Sequence, residues 1–165
     1  MVLVRRTAVV AGARQKVFDF ISNFDNIARW DPGTVKATRR DSSSGKPQLG
    51  TTFDLVTVFK GSEANMVYKL VEFEEGKKCR YDGTGDAAVT VDVINFKDGP
   101  APDTTELEYV ADIRLKGWRV IFTPFVSADI QKLGDEAING IKKTCSDLFE
   151  STDSSTSKKA DEANS

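Results

Sequence analysis

Hydrophobic and polar positions alternate along this chain with two different periods. Over residues 126–149, VSADIQKLGDEAINGIKKTCSDLF, the residues Val126, Ile130, Leu133, Ala137, Ile141, Cys145 and Leu148 recur at steps of three and four. That spacing aligns them along one stripe of an amphipathic helix. Asp129, Lys132, Asp135, Glu136, Asn139, Lys143, Asp147 and Glu150 take the other side. The stripe is thin at its middle, where Gly134 and Ala137 stand in place of large side chains. Glycine inside a helix costs about 1 kcal/mol relative to alanine, so either another backbone approaches closely at Gly134 or something else fills the space.

Upstream the period is mixed. Residues 2–10 are rich in Val and Thr and read as a first strand. From Ala13 the spacing turns helical: Val17, Phe18, Phe20, Ile21, Phe24 and Ile27 predict two short helices, 13–22 and 24–29, with Asn23 or Asp25 placed to cap the second. Trp30-Asp31-Pro32-Gly33 ends them, because proline cannot continue a helix and glycine accepts positive φ. The pattern is then almost wholly β, with strands predicted at 34–40, 51–59, 64–73, 78–82, 87–97 and 104–116. The segments between them, DSSSGKPQLG, KGSE, EEGK, DGTGD and KDGPAPD, all contain glycine and read as turns of an antiparallel meander. Two strands show a definite face. Leu107, Tyr109, Ala111, Ile113 and Leu115 alternate with Glu106, Glu108, Asp112, Arg114 and Lys116, and Phe53, Leu55, Thr57 and Phe59 share one side of their strand. In 64–73, Met66, Tyr68 and Leu70 compete with Val67, Val71 and Phe73, which a bulge would reconcile. Residues 117–125 fit two arrangements. Trp118, Ile121, Phe122 and Phe125 at helical spacing extend the long helix back to Trp118 with a bend at Pro124, or a strand tail stops at that proline.

In order, these elements predict an α+β fold. One seven-stranded antiparallel sheet has an apolar face, two short helices lie between strands 1 and 2, and a long C-terminal helix supplies the matching stripe. A strongly curved sheet gripping that helix buries both. Residues 1–150 make this domain; residues 151–165, STDSSTSKKADEANS, hold no apolar residue larger than alanine and are expected to be a disordered polar tail.

Composition narrows the function classes. At 165 residues and 39% hydrophobic content the chain suits one domain with its own core. Its 23 basic side chains against 25 acidic ones disfavour nucleic acid or an anionic membrane as main partner. There is no histidine, which removes the commonest general base, the commonest metal ligand and every Ser-His or Cys-His arrangement. Cys79 and Cys145 form no CxxC and are too few for a zinc site, so two reduced structural thiols are expected. The opening MVLVRRTAVV sets arginines inside its apolar run and reads as a strand rather than a signal peptide. No run approaches the roughly 18 apolar residues that span a bilayer. A soluble, cytoplasmic protein without metal or cofactor is expected, with no integral membrane association and transient membrane contact left open.

The order of elements resembles the helix-grip fold of the START, Bet v 1 and polyketide cyclase superfamily (SRPBCC). VFDFISNFDNIARWDP (17–32) resembles its first two helices and the tryptophan-x-proline approach to strand two, and LGTTFDL (49–55) resembles the glycine that starts strand three. MVYKLVEFEEGKKCRY (66–81) is similar to its fourth strand, turn and fifth strand. Residues 117–150 are similar to the C-terminal helix of the polyketide cyclase/dehydrase-like branch. The resemblance covers essentially residues 2–150. It implies an apolar cavity between sheet and helix for a lipid, sterol, polyketide or other small hydrophobic ligand. Such a ligand would be lined from the sheet by Phe53, Leu55, Thr57, Phe59, Tyr68, Tyr81, Tyr109 and Ile113. From the helix side it would meet Trp118, Phe122, Phe125, Ile130, Leu133, Gly134, Ala137 and Ile141, with Trp30 at the mouth or as a packing anchor.

Chemistry has few candidates. Tyr68, Tyr81 and Tyr109 either point hydroxyls into the cavity as proton donors or orienting groups, or sit in the core bonded to backbone carbonyls. Glu106, Glu108 and Asp112 alternate with an apolar set and are expected in solvent. The same expectation extends to Thr90 and Asp92, which sit opposite Val89, Val91 and Val93. Arg39, in phase with Val35 and Ala37, either looks inward or, the preferred expectation, stands at an exposed edge. Asp82, Thr84 and Asp86 imitate the start of a calcium loop without its glycine or closing glutamate. Three functions stay open: a carrier or binding protein for a small hydrophobic molecule, a cyclase- or dehydratase-like enzyme that works by orienting its substrate, and a protein-interaction module.

Overall fold

A computed structural model describes residues 1–41 and 44–150; the tail at 151–165 lies outside the described residues. Among the described residues one sheet contains β1 (Val2–Ala11), β2 (Thr34–Arg39), β3 (Thr52–Phe59), β4 (Ser62–Glu74), β5 (Lys78–Gly85), β6 (Ala88–Asp98) and β7 (Thr104–Leu115). The strand order is β1-β7-β6-β5-β4-β3-β2, every neighbouring pair antiparallel. From β2 to β7 the chain is therefore a meander. α1 (Arg14–Ile21) and a 3-10 helix (Phe24–Arg29) carry it from one edge of the sheet to the other. The curved sheet closes on α2 (Thr123–Cys145), giving the helix-grip arrangement.

Local chemistry explains most boundaries. β1 buries Val2, Val4, Ala8 and Val10 and leaves Leu3 and Val9 outside, a two-residue period that fits a half-buried strand. Asn23 caps the 3-10 helix, its side chain accepting from the Asp25 N–H at 3.1 Å. Pairing between β4 and β5 slips between Leu70 and Glu72, so Met66, Tyr68 and Leu70 face inward before the bulge, and Phe73 packs on the core after it. The mixed phase of that strand thus has a single cause.

Three expectations are corrected. Residues 82–85 are strand rather than turn, because Gly83 and Gly85 sit at inward positions of β5 where a Cβ would overlap Tyr68 and Thr90, or Met66. Those glycines serve close packing. Pro124 does not bend the long helix. It lies in the first turn of α2, where a missing N–H is no loss, and Trp118 belongs to a preceding 3-10 helix, Gly117–Phe122. Arg39 is not exposed: its side chain is only 5% accessible, 2.7 Å from Asp25 of the first 3-10 helix, with its guanidinium over the Phe53 ring.

α2 is fastened along both sides. Toward β1, Gln131 Nε2 donates to the Leu3 carbonyl at 2.9 Å, and the Arg6 guanidinium reaches Asp135 and the Gln131 carbonyl. Toward the first 3-10 helix, the Thr144 hydroxyl donates to the Arg29 carbonyl at 2.9 Å. There a Cβ on Gly140 would overlap the Trp30 carbonyl, so glycine permits backbone contact. The buried core falls into two clusters. The larger runs through Phe18, Phe24, Phe53, Leu70, Tyr81 and Ile141, and the smaller consists of Val2, Val4, Ala111 and Ile130.

Candidate functional site: an acid-floored cavity between sheet and helix

Between the two clusters lies a cavity of about 440 Å³. Its apolar wall comes from Val4, Phe59, Met66, Ala111, Ile113 and Leu115 of the sheet and from Ile130, Leu133, Gly134 and Ala137 of α2. Of the residues expected to meet a ligand, Thr57, Phe59, Tyr68, Tyr109, Ile113, Ile130, Leu133, Gly134 and Ala137 stand on this wall. Phe53, Leu55, Tyr81, Ile141 and Trp30 do not: they are packed in the larger core cluster. Trp30 is a packing anchor, edge-on to Phe24 and Tyr109. Trp118, Phe122 and Phe125 stand outside altogether, 67%, 43% and 77% exposed, because the second 3-10 helix leaves the end of the sheet before α2 turns back over it.

The thin middle of the helical stripe has a more specific explanation than empty space. Gly134 does line the cavity, but the volume its side chain would occupy is taken by a methyl of Val4. The helix comes down on β1 at this point. A larger residue at Gly134 would disturb that seat before it filled the cavity. Ala137, one turn on, also lines the cavity and already carries a Cβ, so it is the position from which a longer side chain would project into the open volume.

The floor is polar, and Asp92 and Thr90, expected in solvent, form it. Asp92 is 5% exposed and faces the cavity from β6, together with Thr90. The Tyr109 hydroxyl donates to Asp92 Oδ1 at 2.8 Å. Thr90 Oγ1 lies 3.1 Å from Asp92 Oδ2 and 3.0 Å from the Tyr68 hydroxyl. A hydroxyl has one proton, so with Asp92 ionised Thr90 donates to the carboxylate and accepts from Tyr68. The inward phase is set by β6 itself: Asp92 is two residues from buried Ile94 and four from buried Phe96. Val89, Val91 and Val93 take the other face, half-buried.

A second carboxylate stands nearby. Asp31, in the turn after the first 3-10 helix, accepts from the Gly33 N–H at 3.0 Å and from the Thr34 hydroxyl at 2.7 Å, and lines the same cavity. Burial pushes the Asp92 carboxyl up to about 6; the Tyr109 and Thr90 hydrogen bonds oppose this and the Asp31 charge adds to it. Burial likewise raises Asp31. Burial, then the Asp92 charge, raises Tyr68 and Tyr109 far above the usual phenol range, so both are neutral hydrogen-bond donors. Tyr81 realises the other role foreseen for a buried tyrosine: it stacks on Phe24 and its hydroxyl donates to the Ser22 carbonyl at 2.9 Å, away from the cavity. Glu106, Glu108 and Asp112 lie on the outer face, the last two beside Arg5 and Arg114.

Residues 1–146 match the family model for polyketide cyclase / dehydrase and lipid transport proteins, and the chain belongs to that family. Among solved structures, a START superfamily protein from Mycobacterium smegmatis shares 18% identity at a TM-score of 0.68, over 91% of this chain and 98% of that one. A protein from Thermus thermophilus shares 14% identity at a TM-score of 0.69, over 91% and 98%. The Zhui aromatase/cyclase from Streptomyces sp. R1128 shares 12% at a TM-score of 0.70, over 87% and 92%. At these identities the likeness is one of fold. No curated protein sequence matches the chain significantly.

Proposed function

We infer that this protein binds a small hydrophobic molecule, lipid-, sterol- or polyketide-like, and acts in the cytoplasm as its carrier or binding protein. The observation that supports this most is the cavity of about 440 Å³ with an apolar wall and a few convergent polar groups, the composition typical of small-molecule sites. Both cysteines are free and buried, in keeping with a reducing compartment. No described helix is long and apolar enough to cross a membrane. A carrier must still exchange its cargo. Exposed Trp118, Val120, Ile121, Phe122 and Phe125 support transient contact with a bilayer surface, and from Ile113 to Ala128 the chain has basic Arg114, Lys116 and Arg119 but no acidic residue.

The test is native mass spectrometry of gently purified protein, paired with uptake of a fluorescent fatty dye. A co-purifying adduct of lipid or polyketide size is expected. Ala137→Phe, which adds a ring at a position lining the cavity, should abolish dye uptake while circular dichroism shows the fold retained. Undiminished uptake in a folded Ala137→Phe protein would remove the cavity as the binding place.

One observation favours a second reading, a cyclase- or dehydratase-like enzyme. Asp92, held by Tyr109 and Thr90 and facing the cavity, is placed to take a proton from carbon next to a carbonyl, while Tyr68, turning its hydroxyl from Thr90, donates to the carbonyl oxygen. Turnover of a poly-β-ketone by wild type, lost in Tyr109→Phe, would move the assignment to an enzyme.

A further inference from the structure

Among the described residues, the charged side chains that line the cavity are all of one sign. Asp31 and Asp92 stand at its floor, Glu63 and Asp86 at its exposed rim, and no lysine or arginine contributes to the wall. The chain contains no histidine to balance them. The lysines and arginines whose ion pairs are described meet carboxylates elsewhere: Arg6 with Asp135, Arg39 with Asp25, Arg40 with Asp54, Lys60 with Asp129. Asp92 is compensated by neutral hydroxyls, from Tyr109 and Thr90. An ionised carboxylate offers about four acceptor directions; the Tyr109 and Thr90 hydroxyls each take one, and Asp92 lines the cavity. Buried charge without a counter-charge is costly, and a cation brought in by a ligand would relieve that cost.

We propose that the ligand is a hydrophobic amine: an apolar body held between β7 and α2, with a protonated nitrogen seated on Asp92 and near Asp31, hydrogen-bonded to Asp92 and within reach of the Tyr68 hydroxyl. Fatty acids and other anionic amphiphiles are rejected by the same carboxylates. A neutral alcohol of equal length binds between the two, since it gains the apolar contacts and a hydrogen bond but no charge pair. This inference rests on the cavity being the binding site and adds the chemical class of its occupant.

The experiment compares decylamine, decanol and decanoate, each below its aggregation concentration at neutral pH, by calorimetry on the full chain. Wild type should bind decylamine at least tenfold tighter than decanol, with decanoate weakest. Asp92→Asn should bring decylamine to within about threefold of decanol. Ala137→Phe should remove binding of all three, which separates the cavity from the acidic protein surface. If Asp92→Asn does not fold, the wild-type ranking and Asp31→Asn decide. Decanol or decanoate binding wild type as tightly as the amine would overturn the amine assignment and keep the cavity. So would an amine preference that survives in a folded Asp92→Asn protein. Failure of all three to bind wild type would overturn both.

Discussion

Asp92 ties the stability of this fold to pH in a direction opposite to that of an ordinary ion-paired carboxylate, and Asp92→Asn isolates the effect. The carboxyl has an ordinary value of 3.8 and is held near 6 in the folded protein. The folded state therefore keeps the proton more tightly than the unfolded chain. The resulting contribution is fully present below pH 3.8 and is lost as pH rises through about 6. The gap between those values corresponds to about 3 kcal/mol, at about 1.4 per pH unit. The groups facing Asp92 are Tyr109, Thr90, Tyr68 and Asp31, and of these only Asp31 carries charge in this range. Asparagine has nearly the same shape and accepts the Tyr109 hydrogen bond, but it must reorient Thr90, a cost of about 1 kcal/mol. At pH 3.5 to 4 the variant should thus be about 1 kcal/mol less stable than wild type, and at pH 7.5 about 2 kcal/mol more stable. The two stability curves cross between about pH 4 and 6. Urea denaturation followed by tryptophan fluorescence across pH 3.5 to 8 measures this directly, since titration of the other carboxylates largely cancels between the two proteins. A constant difference over that range, or a variant less stable than wild type at pH 7.5, would refute the burial argument.

Two further outcomes follow from other parts of the fold. Tyr81→Phe leaves the buried Ser22 carbonyl without the hydroxyl that now donates to it at 2.9 Å, so it should cost about 1 to 2 kcal/mol in urea denaturation and leave dye uptake unchanged; lost uptake would place Tyr81 in the site after all. Trp118 is 67% exposed and Trp30 only 2%, so a blue shift of emission on adding vesicles rich in phosphatidylglycerol reports Trp118. Phe125→Asp should weaken that association about tenfold, the scale of one lost buried aromatic, and the absence of any shift in wild type would rule out contact with the bilayer.

Element types, their order and the fold were legible because each rests on a period that tertiary context does not reverse. The Leu107-Tyr109-Ala111 alternation and the Ile130-Leu133-Ala137-Ile141 stripe each have only one face to bury. β6 lacked that asymmetry. In Val89 to Phe96 both phases carry apolar residues: burying the valine phase places Asp92 in solvent, whereas buried Ile94 and Phe96 share its phase and turn it inward, because register in a strand passes unbroken to every second residue. The glycines of residues 82–86 misled for a related reason. Their composition is that of a turn, yet Gly83 is required where the Tyr68 ring crosses β5, a demand made by a neighbouring strand and invisible in local sequence. Trp118, Phe122 and Phe125 kept helical spacing, but spacing does not say where a helix leaves the sheet.

These misplaced residues share a property that bears on function. Asp92 in the inward phase, with Gly83 admitting Tyr68 beside Thr90, creates the polar floor, and each departs from what a maximally stable core would place there. Leucine at 92 would extend the apolar row of Ile94 and Phe96. Instead the fold keeps a carboxyl whose ionisation opposes folding at neutral pH, next to a second carboxylate and an open volume. Local rules broken together at one place, with no lysine or arginine among the described residues of the cavity wall to compensate, are what a site built to receive a charged or donor group would require. The destabilisation expected in Asp92's pH profile and the affinity expected for an ammonium ligand should therefore be two readings of one interaction. Saturating decylamine should flatten the wild-type stability loss between pH 4 and 7.5, and decanol should not.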